Sequence, residues 1–455
     1  MHMRGENRAH AVVLGGSMMG LGAARVLRDR FERVTIIERD ALPEAPATRK
    51  GVPQGGHGHG LLPSGYRILD ACFPGMMDEL VADGAIRGDL TGDFLWYQYE
   101  GWKLRTDSGL GGIVVSRPCL EAKVRKRVRA LPGVTLLDNH DVVEPVHDAD
   151  SGRVVGVRIE DRATRGARTL DADLVVDATG RGSKSPTWLA SWGYGEIPER
   201  TVRIDVGYAT AELERRPNDL YGAMGAIIAG TSPASTRFAA VLGAEGMRWI
   251  VTLVGTLRDY PPTDYEGWRA FAQGLPTRDV LELSEGRQPL GPLLSYRFPA
   301  NRQLHYEKLT RFPGGYLVAG DAVCSFNPIY GQGMSVALTE AQTLDECLDA
   351  GDAGLPARFF AKVAAIADGP WAIATGEDYR YPQVEGARPP GHGLITRYMA
   401  RAHHATTKDP VVLRRFFDVA SLLAPPTAMM SPAIAWRVAL GGVGTAQQSP
   451  ASKAQ

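Results

Sequence analysis

The feature that most constrains this chain is a glycine turn between two short apolar runs near its start. His10-Ala-Val-Val-Leu14 is apolar after its first residue and is closed by Gly15 and Gly16, the pattern of a strand buried on both faces of a parallel sheet. From Ser17 to Arg30 the apolar residues Met18, Leu21, Val26 and Leu27 read as the buried side of a helix. Arg33-Val-Thr-Ile-Ile37 then gives a second strand that runs into Glu38, Arg39 and Asp40. Strand, glycine turn, helix, strand and acid within about thirty residues make the βαβ unit that binds a nucleotide.

Each position in that unit has a physical task. Gly15 permits the tight turn out of the strand, and Gly20 lets the helix close on it. Gly16 and Ser17 are small enough for the backbone to approach a pyrophosphate, where the helix N-terminus at Met18 supplies N–H groups and partial positive charge. Glu38 accepts hydrogen bonds from a ribose diol, and Arg39 flanks it. Serine stands at position 17 where the motif usually has its second glycine; it is nearly as small and can itself donate to a phosphate.

Two further segments repeat the theme of a short strand ended by small residues. Gly315-Tyr-Leu-Val-Ala-Gly320 runs into Asp321, and the following loop carries Pro328 and Gly331-Gln332-Gly333-Met334 at the start of a helix expected over 332–348. An acid beside a glycine-rich helix start suits a long polyhydroxy ligand with an electron-poor ring: the carboxylate holds hydroxyls, and the helix end stabilises negative charge on the ring. Between these segments, Asp173-Leu-Val-Val-Asp177-Ala-Thr-Gly180 is a third strand whose small residues allow a ligand to pass close.

Taken together, Gly15–Gly20, Asp173–Gly180 and Gly315–Gly333 resemble the class A FAD-dependent monooxygenases with the para-hydroxybenzoate-hydroxylase fold. The resemblance implies FAD as cofactor, with Glu38 on the adenosine ribose and Asp321 on the ribityl chain. Pro328 and Gly331–Gly333 would then lie against the isoalloxazine, and Arg117, at a helix start in Val115-Ser-Arg-Pro-Cys119, near the flavin. The family's middle motif usually begins Asp-Gly, whereas this chain reads Asp177-Ala-Thr-Gly-Arg-Gly-Ser183, and it has no second glycine motif for a nicotinamide domain. NADPH or NADH is therefore expected as electron donor either directly or through a partner flavin reductase.

The loop Gly51-Val-Pro-Gln-Gly-Gly-His57-Gly-His59-Gly-Leu-Leu62 is similar to that of flavin epoxidases from polyether pathways. Arg49 in such a loop is expected near the flavin, and His57 and His59 help to close the pocket. Two histidines with no third ligand nearby do not make a metal site. Arg49, His57, His59 and Pro328 are the candidates for a direct part in catalysis, with no general acid or base assigned.

These readings predict an α/β chain with a Rossmann-type FAD-binding domain (1–75, 108–200 and 300–365) and an inserted antiparallel-sheet substrate domain (76–107 and 201–299). A C-terminal helical region (366–441) and a disordered tail (442–455) complete it. Phe94, Trp96, Tyr97, Trp102 and Trp249 are expected in the core rather than the pocket. Basic and acidic side chains number 51 each, and this balance excludes a nucleic-acid partner bound through bulk charge. No stretch reaches the roughly 18 apolar residues of a membrane span. With a polar start and four scattered cysteines, the expected location is the cytoplasm.

The activity implied by the resemblance is insertion of one oxygen atom from O2 into a small apolar organic substrate, through a flavin C4a-hydroperoxide. Either an alkene is epoxidised or a ring is hydroxylated. The alternative on the same fold is an FAD-dependent dehydrogenase or alkene reductase of geranylgeranyl-reductase type. Trp188-Leu-Ala-Ser-Trp192 lacks the Trp-x-Trp-x-Ile-Pro pattern of the tryptophan halogenases. The chain is expected to act as a monomer or homodimer.

Overall fold

The computed structural model describes residues 8–444. Residues 1–7 and 445–455 lie outside the described residues, and with them most of the tail expected to be disordered.

The apolar run that opens the chain is the central strand of a five-stranded parallel sheet. Across the sheet the order is Tyr316–Val318, Leu174–Asp177, His10–Leu14, Arg33–Ile37 and Val134–Leu137. All five residues of His10–Leu14 are buried, as expected of a strand covered on both faces. The helices Met18–Leu27 and Gly333–Asp349 pack against each other over this core. A three-stranded antiparallel sheet (His140–Asp148, Arg153–Asp161, Ala167–Asp171) adds Val154, Val157 and Ile159 to it.

The ladder continues into the turns. Gly15 N–H donates to Ile37 O (2.8 Å), Ala178 N–H to Leu14 O (2.8 Å) and Ala319 N–H to Asp177 O (2.9 Å). Three glycine-containing turns therefore stand side by side at the carboxyl edge of the sheet, the edge at which open α/β sheets bind ligands.

The second body is an eight-stranded sheet. Its long members are Glu199–Glu214, Arg248–Gly255, Arg237–Ala244 and Leu294–Leu304; toward one edge Phe94–Gln98 pairs parallel with Gly225–Ala229, and the short strand Gly101–Trp102 completes that edge. The expected helix after Asp264 is present as Tyr265–Ala272, with the Asp264 carboxylate accepting from Gly267 N–H at 2.7 Å. It seats Trp268 behind the sheet, where the indole N–H donates to Ala209 O at 3.1 Å. Trp249 is fully buried, Phe94 and Trp102 are buried, and none of the five aromatic residues assigned to the core lines the cavity described below. Residues 200 and 299, expected as domain limits, fall inside the strands Glu199–Glu214 and Leu294–Leu304, so the sheet runs on into the half that holds the parallel sheet.

Residue 366 likewise lies inside one helix, Leu355–Asp378, which carries the chain from the parallel sheet to the C-terminal helices His392–Ala405, Pro410–Ala420 and Pro432–Ala439. Asp409 caps the middle one by accepting from Val411 and Val412 N–H groups, and it pairs with Arg437 at 3.0 Å. Lys103 ties the cluster to the large sheet: its ammonium nitrogen lies 2.9 Å from Thr406 Oγ1 and 4.4 Å from the centre of the Phe416 ring. Among the described residues no helix is long and apolar enough to cross a membrane.

Candidate functional site

The nucleotide end is built by close packing at glycine. Gly15 has φ +100°, and a Cβ at Gly20 would lie 1.8 Å from Gly15 O, so the helix Met18–Leu27 can begin where it does only without side chains there. Ser17 makes no side-chain cap to this helix, which leaves the first-turn N–H groups free to meet an anion. Glu38, at the end of the second strand, is buried. Its carboxylate accepts from Gly16 N–H (2.9 Å) and Asp40 N–H (3.0 Å), and it stands behind the glycine turn rather than in the lining of the cavity.

Arg49 does not reach the cavity. It lies against this acidic end, 3.2 Å from Glu38, 3.1 Å from Asp40 and 2.8 Å from Glu121, every partner buried or nearly so. Arg49, expected at the flavin, is thus set apart from the cavity lining, where three carboxylates draw the guanidinium in. Arg39 is exposed.

Glu121 was not singled out by the sequence. It stands four residues after Arg117 on the helix Arg117–Arg129, and this i,i+4 spacing is the one local sign of the pair. Burial alone would raise its carboxyl; Arg117 and Arg49 outweigh that and hold it below the usual range. Arg117 also donates to Ser17 Oγ (2.9 Å), and its buried Nε has no partner.

From this end a cavity opens toward the large sheet, with about 1160 Å³ of atom-free space. Ser17, Met18, Arg117, Gly180 and Asp321 line one side, and Pro328, Gly331, Gly333 and Met334 the adjoining one. Gln332 lies beneath its neighbours, buried and outside the lining. Tyr208, Phe238, Ala240, Thr252, Val254 and Tyr296 of the large sheet form the far wall. The loop 57–60 lies between the two.

Asp321 opens on the cavity and is exposed there, with the bulk of the fold packed around its base. Desolvation raises its pKa against the pull of Arg117 and Arg181. Behind it Glu340, fully buried on the helix Gly333–Asp349, accepts from Gly320 N–H at 2.6 Å and so fixes the turn that carries Asp321.

Burial pushes the Glu340 carboxyl up to about 8. A carboxyl raised on folding contributes its full stability below its unfolded pKa and loses it as pH climbs through the folded value. Glu340→Gln keeps an acceptor for Gly320 and is expected to remove this slope. In urea denaturation the variant should match wild type near pH 5 and exceed it by about 2 kcal/mol near pH 8. Parallel pH profiles for the two proteins would show that Glu340 ionises freely.

The loop at Pro328 is held from the C-terminal side. Asn327 N–H donates to Asn301 Oδ1 (2.6 Å), and the Asn301 and Asn327 amides donate to the Asp378 carboxylate at 2.7 and 3.1 Å. Burial raises Asp378 to about 7 against the opposing pull of these two amides. The three residues lie too far apart in the chain for any local pattern to join them.

His57 is 4% exposed, with Nδ1 2.7 Å from Thr210 Oγ1 and with Tyr208 and Tyr296 ring centres at 5.8 and 6.0 Å. His59 Nδ1 lies 3.0 Å from His57 O. Burial lowers both imidazoles to about 4. Among the described residues no group of three or more His, Cys, Asp and Glu stands ready to hold a metal ion.

The residues fit a dinucleotide with an extended ring. The uncapped helix N-terminus could take a pyrophosphate, Glu38 lies behind it, Arg117 carries an unpaired N–H, and Asp321 and the glycine loop lie farther along the cavity.

No family model matches the sequence. The chain is 36% identical over 464 residues to protein Rv3254 of Mycobacterium tuberculosis (strain ATCC 25618 / H37Rv), spanning 96% of this chain and 95% of that one. Among solved structures it is similar to a flavoprotein/dehydrogenase from Cytophaga hutchinsonii, with TM-score 0.67 and 15% identity over 95% of this chain and 100% of that one. It is also similar to pqsL, a probable FAD-dependent monooxygenase from Pseudomonas aeruginosa, with TM-score 0.60 and 19% identity over 82% and 98% of the two chains. The chain belongs to the family of protein Rv3254, and its fold is that of the class A flavoprotein monooxygenases.

Proposed function

We propose that this protein binds FAD in the cavity and is a monooxygenase, inserting one oxygen atom of O2 into a small, largely apolar organic molecule by epoxidation or ring hydroxylation. The observation that carries this reading is a continuous cavity that runs from the helix start at Ser17 and Met18, past Asp321, to an aromatic sheet face. Gly16, Ser17 and the following helix N-terminus would hold the pyrophosphate, with Glu38 on the adenosine ribose and Asp321 on the ribityl hydroxyls. The segment from Pro328 to Met334 would lie against the ring. Bound and reduced, FAD supplies electrons for activating O2.

The chain's own part is to orient and to exclude water. Tyr208, Phe238, Ala240, Val254 and Tyr296 give the far wall an apolar surface that desolvates the reacting groups. Arg117, with its unpaired N–H, is placed to hold negative charge at the nucleotide side. NADPH or NADH would provide the electrons, directly or through a flavin reductase, in a cytoplasmic monomer or homodimer.

The second reading, hydride transfer by a dehydrogenase or alkene reductase, draws on the same cavity and on the dehydrogenase activity named for the Cytophaga hutchinsonii protein. Rapid mixing of the anaerobically reduced, FAD-loaded protein with oxygenated buffer separates the two. Monooxygenation predicts a transient blue-shifted flavin band before oxidised flavin returns, and 18O from labelled O2 in the product. Direct return to oxidised flavin, with candidate polyenes present and no label in any product, would establish the second reading instead.

A further inference from the structure

The sheet half of the cavity contains a buried polar atom with no partner, Nε2 of His57. Its protonation follows from counting hydrogens along a short chain of hydroxyls. Gly58 N–H donates to Thr252 Oγ1 (2.9 Å), Thr252 Oγ1 lies 2.6 Å from Thr210 Oγ1, and Thr210 Oγ1 lies 2.7 Å from His57 Nδ1. If Thr252 donates to Thr210 and Thr210 to Nδ1, both hydroxyl protons are used and the ring's own hydrogen, on Nε2, is the one group without a partner. The reverse order would leave two, the hydroxyl proton of Thr252, which is 2% exposed, and the Nε2 lone pair.

The histidine is therefore held in the Nε2–H tautomer by a relay rooted in a backbone amide. Desolvation keeps the ring neutral, so what it offers is a donor and not a charge. The surrounding wall is mainly of rings and methyls, with Gln54 and the Tyr296 phenol as further polar groups in the lining, and the Tyr208 hydroxyl is already committed to Asn327 at 3.1 Å.

We propose that His57 is a specificity-determining residue whose Nε2–H anchors an oxygen acceptor on the substrate. The substrate class is thereby narrowed to flat or ring-bearing apolar molecules that carry a carbonyl, ether or phenolate oxygen, rather than plain hydrocarbons. This rests on the reading of the cavity as a substrate site beside FAD. The physical reason is asymmetry: a hydrocarbon leaves the buried N–H unpaired, whereas an oxygen acceptor satisfies it with no loss of apolar contact.

The test uses the oxidised, FAD-loaded protein labelled with 15N-histidine and two planar probes of one shape, 2-acetylnaphthalene and 2-isopropenylnaphthalene. His57 should show the 15N pattern of a neutral Nε2–H tautomer. The ketone should bind about tenfold more tightly than the alkene and should shift that N–H resonance. His57→Phe should lose the preference, and Thr210→Val, which removes the hydroxyl that fixes the tautomer, should weaken it while leaving the ring in place. An Nδ1–H tautomer, or no preference for the ketone in the wild-type protein (including no binding of either probe), overturns the assignment. A protein that takes up no FAD overturns the proposed function and this inference with it. An FAD-filled protein without ketone preference overturns this inference alone.

Discussion

Gly20→Ala is expected to remove the nucleotide site together with much of the protein's stability. A Cβ at Gly20 would lie 1.8 Å from Gly15 O and 2.9 Å from Gly15 C, both rigid backbone. The helix Met18–Leu27 would have to withdraw from the strand turn, carrying its first-turn N–H groups away from any pyrophosphate. Overpacking of this kind costs about 3 kcal/mol or more, because no rotamer change relieves a backbone clash. Gly22→Ala is the control on the same helix. There the added Cβ meets Ala341 Cβ at 3.1 Å and Leu338 Cδ2 at 3.4 Å, side chains that can shift, and alanine's helix propensity offsets part of the crowding. Urea denaturation and FAD titration of the two variants check the contrast. If Gly20→Ala binds FAD as Gly22→Ala does, the turn is softer than its geometry implies.

Arg49→Met is expected to destabilise the fold by about 3–5 kcal/mol, the range for removing one partner from a buried ion-pair network. The guanidinium is 6% exposed at its side chain, and Glu38, Asp40 and Glu121 around it are 6%, 10% and 6% exposed. Methionine fills much of the volume but leaves three carboxylates with less positive charge to face. Arg49→Lys should fall between, since one ammonium cannot present the planar fork that meets several carboxylates at once. The deficit has a sign with pH. Arg117 and Arg49 hold Glu121 low, so without Arg49 its pKa rises, and the deficit should shrink as pH falls and the acid is protonated. Adding Glu121→Gln to Arg49→Met should recover part of the loss in a double-mutant cycle. A deficit below about 1 kcal/mol at neutral pH would mean that water reaches these acids and that the pairs act as surface bridges do.

Much of the nucleotide half was legible from local pattern. His10–Leu14, Gly15, Gly20 and Glu38 carry their meaning in spacing, because one short βαβ unit must turn, approach and cap within a few residues. Asp321 and the loop from Pro328 to Met334 were legible for the same reason, each being a strand end or a helix start. His57 and His59 stood out in a glycine-rich loop, and both line the cavity.

Charge placement was not legible. Arg49 was expected beside the flavin and instead lies against Glu38, Asp40 and Glu121, because a guanidinium settles where carboxylates converge, and that convergence exists only after the strands align. Asp378, Asn301 and Asn327 come from a helix, a strand and a loop distant in sequence, and no periodicity links them. Residues 200, 299 and 366 were drawn as limits at changes in pattern, yet strands and a helix run through all three.

By itself the sequence determined the fold class and the place of the glycine turn after the first strand, since backbone geometry at glycine and the burial of apolar runs are local or periodic properties. The tertiary structure alone decided which charges meet, which buried atom of His57 is left without a partner, and what holds the loop at Pro328. Those depend on distances between segments that only packing sets.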